Sequence, residues 1–64
     1  MNTQILYSNT KNTLMGTVCL IRYDNGEEEY SLVVVDMFSG RMESFGQLTS
    51  QQTAIDLVNA KLNY

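Results

Sequence analysis

The side chains here that could do chemistry are seven carboxylates, one thiol and four tyrosines; there is no histidine. Without imidazole the chain has no ordinary proton-transfer group near neutral pH and no base to pair with a serine or with Cys19. Cys19, the only cysteine, lies among apolar residues with no cation beside it, and reads as a small buried hydrophobe. Asp36 and Glu43 could at most form a carboxylate pair, and hard-cation sites gather more oxygens than two side chains supply. The four glycines have no phosphate-cradling spacing. The expectation is a protein that is not an enzyme and uses no cofactor or metal.

Recognition is the better use of these residues. Asp24, Glu27 and Glu28 cluster around Asn25-Gly26, so a hairpin there presents an acidic tip. Such a tip is either a solvated turn that discourages edge pairing or a negative prong for a basic groove, where carboxylates meet Arg and Lys as phosphates do. Tyr23, Tyr30 and Phe45 add aromatic rings of the kind that anchor protein interfaces. These six residues form the candidate partner-binding set.

The elements that must hold them follow from hydrophobic period and turn chemistry. Two long β-rich runs, 14–24 and 27–38, flank Asn25-Gly26, and a two-residue loop there pairs Val18 with Val33 and Arg22 with Glu29. Gly16, Val18, Leu20, Val33, Val35, Met37 and Met42 then share one face. Tyr23, Tyr30, Ile21, Leu32, Val34 and Phe45 share the other, with Glu28, Asp36 and Glu43 at its rim. A first strand is predicted over 3–8, a polar loop over 9–13, and a fourth strand over 41–46 after a turn at Ser39-Gly40; a two-residue loop there opposes Asp36 to Glu43, and a three-residue loop with a bulge at Gly40 is the alternative that relieves it. From Thr49 the period lengthens to about 3.6, with Ala54, Ile55, Val58 and Leu62 on one stripe of a helix over 50–63, capped by Thr49 or Ser50. The expected fold is α+β: one domain over 1–64, a four-stranded antiparallel meander with a C-terminal helix on the Val18 face, where Gly16 leaves room for it. Both faces are more apolar than water favours, and the helix can cover only one; the alternative is the reverse choice, with Tyr23, Tyr30, Ile21, Leu32, Val34 and Phe45 as the core.

Bulk composition narrows the function classes. The 64 residues carry two Lys, two Arg, three Asp and four Glu, for a net charge of −3; direct nucleic-acid binding wants a basic footprint, which four scattered cations do not make. The lone cysteine suits a reducing cytosol. The start Met-Asn-Thr-Gln has no signal-peptide pattern, and no run of about 20 apolar residues appears. The expectation is a cytoplasmic protein with no membrane role.

Two resemblances extend this reading. Asp36-Met37-Phe38-Ser39-Gly40, followed by Gly46, Ser50, Ala54 and Val58 at helix spacing, resembles the strand-turn-strand-helix end of HicB-type antitoxins, over less than half the chain and without the proline usual in that turn. The overall type, a tiny acidic sheet with one helix and no catalytic groups, resembles small phage proteins that inhibit host enzymes, the anti-CRISPR proteins among them. The second resemblance implies a non-catalytic phage or mobile-element inhibitor that occupies a basic or nucleic-acid-binding surface of a larger protein. The first implies an antitoxin-like or structural homo-oligomer, in its simplest form a homodimer, that buries the open sheet face against itself.

Overall fold

The computed structural model describes residues 1–63. Four strands, β1 (Asn2–Lys11), β2 (Leu14–Arg22), β3 (Glu28–Asp36) and β4 (Met42–Leu48), form one antiparallel sheet in the order β1-β2-β3-β4. Helix α1 (Gln51–Leu62) packs across one face, mainly over β2 and β3. This is the α+β meander with a C-terminal helix that the periodicities predict.

Three local features depart from expectation, and the first has the widest effect. The β2–β3 loop holds three residues rather than two: Tyr23 N–H donates to the Glu27 carbonyl at 2.8 Å and Gly26 N–H to the Tyr23 carbonyl at 3.0 Å. Only Gly26, at φ 90°, is left-handed in this loop, while the Asn25 side chain accepts from Glu27 N–H at 3.0 Å. A turn closed by one left-handed glycine suits a three-residue hairpin, whereas the two-residue type needs positive φ at both central positions. The pairing therefore shifts by one place, to Arg22 with Glu28, Leu20 with Tyr30 and Val18 with Leu32. A shift of one turns β3 over relative to β2.

The second departure is the β3–β4 loop, which spans Met37–Gly40. Asp36 N–H donates to the Arg41 carbonyl at 2.8 Å and Gly40 N–H to the Asp36 carbonyl at 2.7 Å. The Asp36 carboxylate accepts from the N–H groups of Phe38 and Ser39 at 2.9 and 3.3 Å. Asp36 thus stands opposite Arg41 rather than Glu43, which removes the clash of acids. Relative to the expected pairing the shift is two places, so β4 keeps its phase with β3 and turns over with it: Leu32 faces Phe45 and Val35 faces Met42.

Third, residues 9–11, predicted as loop, continue β1. Lys11 pairs with Leu14, and the turn is Asn12-Thr13 alone, with Asn12 at φ 57°, a conformation asparagine tolerates. The strand end is tied to the helix, where Tyr7 and Asn9 both donate to the Asn59 side-chain oxygen, at 3.0 and 3.1 Å, and Lys11 donates to that of Asn63 at 2.8 Å.

The core sits between sheet and helix: Val18, Leu20, Leu32, Val34, Ala54, Val58 and Leu62 are buried, with Tyr7, Leu14, Tyr30, Leu48 and Ile55 packed against it. β2 presents the face predicted for it; β3 supplies Leu32 and Val34 in place of Val33 and Val35. Met37 and Met42, predicted in the core, are exposed. Helix entry follows the predicted cap, with Ser50 accepting from Thr53 N–H at 3.3 Å. A methyl group on Gly16 would overlap Val58 Cγ1, a side chain that is wholly buried. The missing side chain is what lets the helix seat over β2.

This contact makes a prediction. Gly16→Ala should cost about 1–3 kcal/mol by overpacking, and adding Val58→Ala should return part of that loss, since the two changes share one space. Urea unfolding of the single and double variants measures it. Strictly additive losses would place the helix elsewhere.

Candidate protein-binding surface

The register sorts charge as well as bulk. Of the six charged residues within the strands, Lys11, Arg22, Glu28, Asp36 and Glu43 lie in phase with Val18 and Leu32, on the helix side. Only Glu29 lies on the open side. That side carries Ile5 from β1, Met15, Thr17, Cys19 and Ile21 from β2, Ser31, Val33 and Val35 from β3, and Met42 and Ser44 from β4. An antiparallel sheet with one face in water ordinarily places polar residues there. Here aliphatic, thioether and small hydroxyl side chains face outward, with Ile5 67% and Met42 66% exposed. A shallow depression of about 470 Å³ runs through its centre, lined by Cys19, Ile21, Ser31, Val33 and Ser44, with Glu29 at its end.

The single acid of this face is held by local chemistry. Gly46 and Gln47 form a bulge in β4, with Gln47 at φ 60°. Gln47 N–H donates to Glu29 Oε2 at 2.7 Å, and the Tyr23 hydroxyl donates to Glu29 Oε1. The Tyr23 hydroxyl and then the Gln47 N–H hold the Glu29 carboxyl below its ordinary range, while the same bond raises the Tyr23 phenol. Glu29 thus fastens hairpin tip to bulge.

The six candidate residues do not form one patch. Tyr23 borders the open face, 37% exposed. Tyr30 and Phe45, predicted beside it, lie on the helix side because β3 and β4 are turned over: Tyr30 packs against the core, and Phe45 lies beneath Lys61, whose Nζ is 5.0 Å from the ring centroid and 2.7 Å from Glu43. Leu32 and Val34, also predicted on the open face, are core residues. At the tip, Asp24 pairs with the terminal amine of Met1 at 2.7 Å and Glu28 with Arg22 at 2.6 Å, all well exposed. Glu27 makes no ion pair among the described residues. Arg22 thus meets Glu28 rather than the predicted Glu29, and exposed pairs of this kind contribute little.

One surface residue escaped the sequence reading. Phe38 is 89% exposed, on a loop ordered by the Asp36 carboxylate, whose ionised form the Phe38 and Ser39 N–H groups favour, and by Met37 N–H donating to the Thr13 carbonyl at 2.7 Å. The available signal was an aspartate two residues before an aromatic in a turn, a side-chain-to-backbone pattern. Among the described residues no group of three acids, histidines or cysteines could hold a metal ion, and no helix is long and apolar enough to cross a membrane.

Comparisons of the chain with protein-family models, with curated proteins and with solved structures gave no match. Function has to be argued from the surface itself.

The Tyr23–Glu29 bond predicts a pH dependence. The folded Glu29 value is depressed, so its contribution is complete above the ordinary 4.5 and is lost as pH falls through the lower folded value. The Tyr23 value is raised, so its contribution is complete below 10.0 and is lost as pH rises through the higher folded value. Glu29→Gln should flatten the acid side of the stability profile and bring the Tyr23 ring titration, followed by NMR, down towards 10.0. An unmoved titration would show that the bond is absent in solution.

Proposed function

We propose that this chain is a non-catalytic protein-binding module whose working surface is the open face of its sheet. The observation that carries this reading is the sorting of charge: five of six strand charges lie on the side already covered by the helix, leaving the solvent side nearly uncharged and apolar at its centre. An apolar centre without charges, edged by polar groups, is the composition of a protein interface, and aromatic Tyr23 stands at its margin. A chain of 64 residues also has little core to spare, so cover over a second face adds stability that one layer cannot supply.

The acidic tip has a separate part in this proposal. Asp24, Glu27, Glu28 and Glu29 outweigh Arg22 and the terminal amine at that end of the sheet, and a negative field there favours a basic groove on a larger protein, including one that otherwise takes nucleic acid. In that form the protein acts as a small inhibitor, cytoplasmic and of phage or mobile-element type, by occupying the groove. Tyr30 and Phe45 leave the proposed contact set, and Ile21, Val33 and Phe38 enter it.

The test compares the parent with Val33→Lys, which puts a charge at the centre of the open face and leaves the helix-side core intact. Thermal stability should be close to the parent's, while association should fall, measured both as self-association and as binding of any purified partner. Equal association by both measures would remove the face from consideration. For the tip, reversing Asp24, Glu27 and Glu28 to Lys should slow association with a foreign partner and flatten its salt dependence. An unchanged rate constant at two ionic strengths would return these acids to a solvated turn.

A further inference from the structure

We infer that the open face is closed by a second copy of the chain, packed face to face. This rests on the reading above that the face takes a protein, and names which one. Three observations carry it.

The first is the protection of the edges. β1 is bulged between Ile5 and Tyr7 and β4 between Phe45 and Leu48, and the β4 bulge has its Gln47 N–H occupied by Glu29. Bulged edges resist addition of a further strand. Association between copies therefore goes through the face.

The second is area. The molecule measures 38 × 21 × 15 Å, so its broad side projects to at most about 800 Å², the share each partner contributes to a standard stable interface. Two such faces about 10 Å apart make a sandwich, and an isologous pair about a two-fold axis is the simplest closed assembly. The apolar residues of the face, Ile5, Met15, Ile21, Val33, Val35 and Met42, come from all four strands, so the contact is spread over the footprint.

The third is charge. The open face of each copy carries one strand acid, Glu29, whose carboxylate the Tyr23 hydroxyl and the Gln47 N–H already hold, so two such faces meet without a cluster of like charges set against each other.

The experiment is sedimentation equilibrium of the parent and of Val33→Lys. The expected result is a mass twice the 7.3 kDa of the chain and at least a tenfold weaker dimer for Val33→Lys with an unchanged circular dichroism spectrum. A 7.3 kDa mass at millimolar concentration overturns the second copy, while the protein-binding reading keeps its own test on a foreign partner. A dimer indifferent to Val33→Lys overturns the face as its seat.

Discussion

The three-residue loop at Asp24-Asn25-Gly26 sets the phase of half the sheet. With one left-handed glycine closing it, Arg22 falls opposite Glu28 and Val18 opposite Leu32. Every later strand residue inherits its face from that choice, because the second hairpin preserves the phase of β4. The helix then meets Leu32 and Val34 instead of Val33 and Val35, and Glu28, Asp36 and Glu43 move to the rim of the covered side. One backbone conformation thus decides what the core contains and which face stays bare.

The helix completes one side only. Its stripe of Ala54, Val58 and Leu62 is buried, each larger member contributing about 1.5–3 kcal/mol by transfer from water, and Gly16 makes the approach close enough to achieve it. Polar ties from Asn59, Lys61 and Asn63 anchor the helix flanks to β1 and β4. Among the described residues no helix packs on the opposite side of the sheet, where Met15, Ile21, Val33 and Met42 face outward. Core and binding surface are two sides of the same strands, so one register serves both stability and recognition.

Element types and order were legible in the sequence because they rest on strong local signals: alternation in the strands, Asn25-Gly26 and Ser39-Gly40 at the turns, a lengthened period after Thr49, and a serine cap. The choice of Val18 and Leu20 as the helix side was legible through Gly16. The faces of β3 and β4 were not, because Val33, Val34 and Val35 run consecutively and give no alternation to choose between phases. An Asn-Gly pair also serves loops of two or three residues, and the deciding hydrogen bonds, Tyr23 to Glu27 and Gly26 to Tyr23, are not written in residue types. The expected binding surface inherits that error: Tyr23 does border the open face, but Tyr30 and Phe45, expected beside it, lie on the helix side, and Phe38 escapes notice because its loop is expected to be shorter.

Cys19 provides the most direct measurement, because the only thiol of the chain lies in the depression at the centre of the open face. If that face is the docking surface and a second copy covers it, the alkylation rate of Cys19 should be high in dilute protein, should fall as concentration passes through the dimer range, and should stay high throughout in Val33→Lys. A rate independent of concentration and equal in parent and variant would contradict a docking role for the open face between copies of this chain.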